Sequence, residues 1–371
     1  MSGTGRHATE EQAELRVLVT GGGSGGHINP GLALVEEIRA VEARSRFLWV
    51  GTSDRLEAEL VPRANIPIEF IDVAYIKGRN LLGKLSAILQ LPLALLKSIR
   101  LIRRFRPHVV VGVGGFVSGP VGFVASLMGY PTALLEQNAR PGLTNRLLGR
   151  FAKRVFVSFE ESRTWFSPRK VRLLGNPVRP NLLTGGSEDE ARGRAVKVLI
   201  IGGSQGAALF NCELPDVLSE VREKGVELVV RHSSGKGRDE AVREAYAGAD
   251  WAEVLPYIHD MGACYRWADV VICRAGASTI AELAVVGKAA VFVPFPFASD
   301  NHQHCNAQAM VDAGAGILLT EEQFRKAPPV ERLVEMLSDI KRLVEMGNSA
   351  RSMGHPGAGK AIAEEIIGMV R

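Results

Sequence analysis

Residues 15–26 read LRVLVTGGGSGG, and residues 196–206 read VKVLIIGGSQG. In each, a short run of Val, Leu and Ile ends directly in a cluster of glycines, and a helical pattern follows. A run so short, β-branched and almost wholly apolar is a strand covered on both faces. Glycine after such a strand lets the backbone turn and approach another group closely. The helix behind it presents unpaired N–H groups and the positive end of its dipole. The same unit met twice, about half a chain apart, predicts an α/β protein of two Rossmann-like, doubly wound domains facing each other across a cleft.

The remaining sequence keeps the same alternation of strand and helix. Further strands are expected near 47–51, 66–71, 108–113, 132–136 and 155–159, then near 227–231, 252–255, 269–273 and 289–294. At 371 residues the chain exceeds one ordinary doubly wound sheet and suits two domains. We expect a disordered polar tail over 1–14, an N-terminal domain over 15–175 and a C-terminal domain over 176–350. Gly175-Asn176-Pro177 reads as a hinge or a turn and 184–194 as a loop. The segment 356–370 reads as a helix with Ala361, Ile362, Ile366 and Ile367 on one side. The closing stretch 355–371 is expected to return to the first domain.

Single glycine loops are weak evidence of chemistry. Gly21, Gly23 and Gly26 fit G-x-G-x-x-G, but a nicotinamide-dependent oxidoreductase also wants an acid at the end of the second strand to hold the ribose. That strand ends in Gly51-Thr52, with Asp54 late. A Walker loop fails because His27 and Ile28 stand where Lys and Ser/Thr are needed. A third glycine run, 112–119, follows another strand of the first half, and loops after successive strands gather at the sheet edge where ligands bind. The plain alternative is that the glycines only permit tight packing of strand on helix.

Charge is concentrated in one place. Lys77, Arg79, Lys84, Lys97, Arg100, Arg103, Arg104 and Arg106 lie in a stretch with no acidic residue, and the remainder holds more acids than bases. Leu81, Leu82, Leu85, Ile88 and Leu89 recur there at helical spacing before Pro92. An amphipathic helix packed on the core is the usual source of that pattern. The acid-free flanks point instead to an anionic membrane surface, and nucleic acid is not an expected partner. The run from 85 to 96 is far short of the roughly 20 apolar residues that span a bilayer. Residues 1–14 lack the apolar core of a signal peptide. Cys212, Cys264, Cys273 and Cys305 form no CxxC pair or zinc spacing and read as buried free thiols of a reducing compartment.

Eight segments in order resemble the MurG family of GT-B glycosyltransferases. They are 20–33 (TGGGSGGHINPGLA), 112–119 (GVGGFVSG), 136–138 (EQN), 142–145 (GLTN), 175–179 (GNPVR), 202–207 (GGSQGA), 274–282 (RAGASTIAE), and 293–295 (VPF) with Asn306-Ala307. The resemblance implies inverting transfer of N-acetylglucosamine from UDP-GlcNAc to the lipid-linked muramoyl-pentapeptide of peptidoglycan synthesis, at the cytoplasmic face of the plasma membrane. It implies no cofactor and no catalytic metal, and the chain has no Asp-x-Asp pair for a diphosphate-bound cation. It puts Ser24, Gly25 and Gly26 beside the sugar and phosphates, Asn138 on the sugar, and Arg179 and Ser204 on the nucleotide-diphosphate. Ile258 would lie against uracil, the stretch Ala277, Ser278, Thr279, Ile280, Ala281 and Glu282 around nucleoside and diphosphate, and Gln303 on the GlcNAc. His302 departs from the family, which more often has Gln there.

The residue types suit those roles. A carboxylate at Glu282 could accept both ribose hydroxyls, although an acid near a helix start is favoured by the dipole in any protein. The fork of Arg179 suits phosphate oxygens. His27, with a near-neutral pKa, could take the proton from the acceptor hydroxyl, or merely cap a helix. Glu136 is the alternative base. Two other functions remain to be weighed: a UDP-sugar epimerase, which would not need the basic segment, and a nucleotide-sugar sensor, which would need neither His27 nor Glu136.

Overall fold

The structure is a computed structural model that describes residues 14–71, 81–179, 182, 195–203 and 205–371, and of 81–89 the backbone alone. Seven parallel strands form the first sheet: β1 (Arg16–Gly21), β2 (Arg46–Gly51), β3 (Ile68–Phe70), β4 (Val109–Gly114), β5 (Thr132–Glu136), β6 (Arg154–Val157) and β7 (Val171–Leu173). Their order is β3-β2-β1-β4-β5-β6-β7. Six more form the second: β8 (Val196–Ile201), β9 (Leu228–Ser233), β10 (Ala252–Leu255), β11 (Val270–Cys273), β12 (Ala289–Phe292) and β13 (Gly316–Leu318), ordered β10-β9-β8-β11-β12-β13. Both sheets reverse direction of winding beside their glycine-tipped strand, between β1 and β4 and between β8 and β11. Those switch points are where loops part and leave a crevice.

The two founding strands are buried on both faces. Val17 and Val19 enter one core with Ile28, Leu34 and Trp49, whereas Leu18 enters the opposite core with Val110 and Val121. Val198 and Ile200 divide from Leu199 and Ile201 in the same period-two manner. Strands read from sequence are found within a few residues of their expected positions. The edge strands β7 and β13 were not among them.

The helix Ala358–Gly368 buries Ile362, Ala363, Ile366 and Ile367 in the first sheet's core, against the helix Gly25–Val41. Ala361 is only half-buried. The basic helix runs unbroken through Pro92 from Leu81 to Phe105, so the basic residues after Pro92 lie on the same helix as the apolar ones before it. The 1–13 tail, Lys77, Arg79, the whole 184–194 loop and Ser204 lie outside the described residues.

Candidate active site

The glycine loops of the first sheet are packed against each other. The Gly22 N–H donates to Gly114 O at 3.2 Å, and the Trp49 indole N–H to Gly21 O at 2.9 Å. Ser118, buried, donates to Thr20 O and Gly114 O at 2.8 and 2.9 Å. A Cβ on Gly114 would stand 2.7 Å from His27 Cδ2, so this glycine gives the ring its place. The imidazole Nδ1 lies 3.1 Å from Gly22 O and 3.4 Å from Ser24 Oγ. A carbonyl can only accept, so Nδ1 carries the hydrogen and Nε2 keeps its lone pair. No described residue bonds Nε2. Burial lowers the His27 pKa, the Gly22 carbonyl opposes that shift, His302 adds to it, and Glu57 opposes it.

At the end of β5, Glu136 is buried and fully occupied. One carboxylate oxygen accepts from Asn138 N at 3.0 Å and Asn138 Nδ2 at 3.2 Å. The other accepts from Gly142 N at 3.1 Å and Asn145 Nδ2 at 3.0 Å. Burial raises its pKa against the pull of those four donors. The carboxylate braces the 137–142 loop with every oxygen engaged, whereas His27 has a nitrogen to spare.

In the second unit the helix Ala277–Val286 starts directly after β11 and Gly276. On its second turn, buried Glu282 accepts from Arg179 Nη2 at 3.2 Å and from the Tyr265 hydroxyl at 2.9 Å. Burial raises the Glu282 carboxyl, and Arg179 and Tyr265 pull it back. Two buried polar atoms near that helix start, Arg179 Nε and Ser278 Oγ, have no partner among the described residues. Thr279 and Ala281 are half-buried. Ile280 and Ile258 belong to the core, so any ligand contact by Ile280 would fall to its backbone.

Side chains meet across the cleft. Fully buried Asn306, on the helix His302–Asp312, accepts from Ala139 N at 2.8 Å and donates to Asn138 Oδ1 at 3.1 Å and Ala275 O at 3.2 Å. Asn138 is therefore engaged on both ends of its amide. Gln303 accepts from Phe295 N at 2.9 Å, which leaves its NH2 for a ligand. His302 holds Ser299 O at 2.7 Å. Ser24, Gly25 and Gly26 lie at the mouth of the first loop, exposed or half-buried.

On the basic helix, Arg100, Arg103 and Arg104 are exposed and Lys97 is half-buried. Glu69 of β3 pairs with Arg104, so the patch is less purely cationic than the sequence of the segment suggested. The side chains of Lys84, Leu85, Ile88 and Leu89 lie outside the described residues. Among the described helices none is long and apolar enough to cross a membrane. All four cysteines are free, but only Cys264 and Cys273 are buried; Cys212 is exposed and Cys305 half-buried.

Sequence reasoning missed Glu57, Tyr265 and the bridging use of Asn306. Asp54 follows β2 too late to hold a ribose, whereas Glu57 sits one turn further on and reaches back. Its carboxylate takes the N–H groups of Gly23 at 2.8 Å and Thr52 at 3.0 Å, with Thr52 Oγ1 at 2.7 Å. The acid grips the glycine loop itself, not a ribose.

Residues 17–157 match the N-terminal domain of glycosyltransferase family 28, and residues 197–362 match its C-terminal domain. A Myxococcus xanthus UDP-N-acetylglucosamine--N-acetylmuramyl-(pentapeptide) pyrophosphoryl-undecaprenol N-acetylglucosamine transferase is 42% identical over 357 residues, 96% of this chain and 93% of the relative. A protein of the same name from Syntrophus aciditrophicus is 39% identical, over 96% of this chain and 99% of its own. The crystal structure of Acinetobacter baumannii MurG aligns with a TM-score of 0.80 at 34% identity, covering 95% of this chain and 99% of that one. A putative UDP-N-acetylglucosamine 2-epimerase from Listeria monocytogenes, 15% identical at a TM-score of 0.67, shares the fold alone.

Proposed function

The chain belongs to glycosyltransferase family 28, and from that membership we propose that it transfers N-acetylglucosamine from UDP-GlcNAc to the C4 hydroxyl of undecaprenyl-pyrophosphoryl-MurNAc-pentapeptide, the step that completes the lipid-linked precursor of peptidoglycan. The observation that carries this reading is the pairing of two unlike half-sites. One switch point holds an imidazole with a free lone pair, and the other offers a helix N-terminus with an arginine and a carboxylate beside it.

In the reaction, the acceptor oxygen forms a bond to C1 of the sugar as the bond from C1 to the β-phosphate oxygen breaks. The electron pair departs with UDP, and the hydroxyl proton passes to His27 Nε2. Attack opposite the leaving group inverts C1, through a transition state with oxocarbenium character like that of glycosidases. Charge gathering on the diphosphate is stabilised by the first N–H groups of the helix Ala277–Val286 and by Arg179. Glu282 accepts the ribose hydroxyls, exchanging or sharing its present partners. Asn138 and Gln303 meet the sugar, Ile258 the uracil, and Ser204 the diphosphate. Glu136 shapes the loop that carries Asn138.

The first unit faces the membrane and the acceptor. On the basic helix, Leu93, Leu96, Arg100 and Arg103 are spaced three and four apart and exposed, opposite buried Ala94, Ser98, Leu101 and Ile102. That stripe suits peripheral docking on anionic lipid at the cytoplasmic face of the plasma membrane, and Lys77, Arg79 and Lys84 precede it in the sequence. Incubation with UDP-GlcNAc and the lipid-linked acceptor, with and without excess EDTA, tests the whole reading. Disaccharide formation under both conditions is expected. Conversion of UDP-GlcNAc to its C2 epimer without an acceptor would point to an epimerase, and UDP-GlcNAc binding without turnover to a sensor.

A further inference from the structure

Glu57 is buried completely, and no described cation pairs with it. Such a carboxylate is costly unless its oxygens are well satisfied. One oxygen takes Thr52 N and Oγ1, and the other takes only the N–H of Gly23, at 2.8 Å. That N–H belongs to the same peptide group as the Gly22 carbonyl, which receives His27 Nδ1 at 3.1 Å. Carboxylate, peptide and imidazole are thus in series. A Cβ on Gly22 would stand 2.2 Å from the Glu57 carboxyl carbon, so only glycine admits this contact.

We propose that Glu57 is a positioning residue for the transfer step, acting on His27 through the Gly22–Gly23 peptide. Hydrogen bonds in a chain polarise one another. A negative charge drawing on the Gly23 N–H enriches the Gly22 oxygen, which then holds the Nδ1 hydrogen more firmly. The ring is fixed in the tautomer with Nε2 unprotonated, and Nε2 becomes a stronger base. A carboxylate bonded directly to a catalytic histidine does the same by contact; here one peptide group stands between them. The other groups that face the ring are His302 from across the cleft, which opposes its protonation, and the Ser24 hydroxyl. The proposal rests on His27 being the base.

The test is Glu57→Gln in the full-length protein, with folding checked by circular dichroism. The His27 ring is followed by NMR, and kcat/KM is measured against pH. If the series operates, His27 in the variant titrates at lower pH than in the parent. The acid limb of kcat/KM then moves down with it, and the plateau kcat falls roughly tenfold, a fraction of what a general base contributes. UDP affinity is unchanged. A folded variant in which neither the His27 titration nor the acid limb moves would overturn the proposal, however much activity is lost, and leave Glu57 a loop clamp. If Glu57→Gln does not fold, Thr52→Val gives the reading. It removes one donor from the carboxylate, leaves more charge on the Gly23 N–H, and should raise the pH at which His27 titrates; an unmoved titration overturns the idea. His27→Gln separates the two claims. An acid limb that survives this change would remove the base assignment, while the NMR response to Glu57→Gln would still stand or fall by itself.

Discussion

Asn306 and Asn138 are joined by a hydrogen bond of 3.1 Å, although they lie on different halves of the molecule. The same Asn306 side chain accepts from Ala139 N and donates to Ala275 O, so one buried amide ties the loop after β5 to the loop after β11. Those loops carry Asn138 and the start of the helix Ala277–Val286, to which the proposed reaction gives the sugar and the diphosphate. The contact couples the spacing of the two half-sites to their orientation.

Removing that amide should be felt in both stability and turnover. Asn306→Ala leaves the Ala139 N–H without its acceptor and is expected to cost about 1–3 kcal/mol. Thermal unfolding should show the loss, and kcat should fall more than UDP affinity, because each half-site remains intact. A variant with parental melting and parental kcat would show that the halves keep their spacing without this bridge.

The Glu282 site separates affinity from folding. Glu282→Ala should weaken UDP binding by roughly 1–3 kcal/mol, the worth of charge-assisted hydrogen bonds, while the protein stays folded. Tyr265→Phe removes only the 2.9 Å hydroxyl contact to the carboxylate and should weaken binding less. Calorimetric titration with UDP decides: equal affinity for parent and a folded Glu282→Ala protein would remove the ribose role.

What could be read from the sequence depended on the range of the interactions involved. The strands at 15–20 and 196–201 were legible because burial on both faces writes an apolar run into the sequence, and the fold class followed from their repetition. β7 and β13 were not, because Arg172 interrupts the first and Gly316 opens the second, so neither carries an unbroken β-branched run of its own. His27, Arg179 and Glu282 stand out in their segments, but their partners do not. Glu57 looks like any acid in the first turn of a helix until the fold brings it to Gly23, and Tyr265 like any core aromatic until it meets Glu282. Asn306 carries no local sign of a bond to a residue 168 positions away.

Acid stability should depend on a histidine to which the proposed reaction gives no role. His232 Nε2 lies 3.2 Å from Asn211 Oδ1 and Nδ1 3.1 Å from the Tyr246 hydroxyl. The amide oxygen fixes the hydrogen on Nε2, and burial keeps Tyr246 protonated as the donor to Nδ1. Burial lowers the His232 pKa from 6.5 to about 4. The unfolded chain therefore binds the extra proton first. Stability from this residue is fully present above about pH 6.5 and is lost as pH falls toward 4, by about 3 kcal/mol in all. Denaturant unfolding at pH values between 4.5 and 7.5 should fall more steeply with acid for the parent than for His232→Gln. Parallel curves would mean that His232 does not set the slope.

The docking stripe makes a prediction in which charge and apolar area can be told apart. Leu93 and Leu96 are 55% and 52% exposed and share a helix face with Arg100 and Arg103, which no described acid pairs. Anionic lipid attracts each nearby Lys or Arg by about 1 kcal/mol, and the attraction fades within a Debye length of about 8 Å at physiological salt. Changing Arg100, Arg103 and Arg104 to Gln should lower binding to anionic vesicles most strongly at low salt, with Arg104 contributing least because Glu69 already holds it. Leu93→Ser with Leu96→Ser should lower binding at every salt concentration, since burial of apolar area is not screened. UDP affinity should be intact in both variants, whose changes lie on the first sheet's helix and away from Arg179 and Glu282. Activity should fall with the membrane-embedded acceptor and recover with a short-chain soluble analogue. Sedimentation with vesicles in which both variants bind like the parent would make this face an ordinary solvated one.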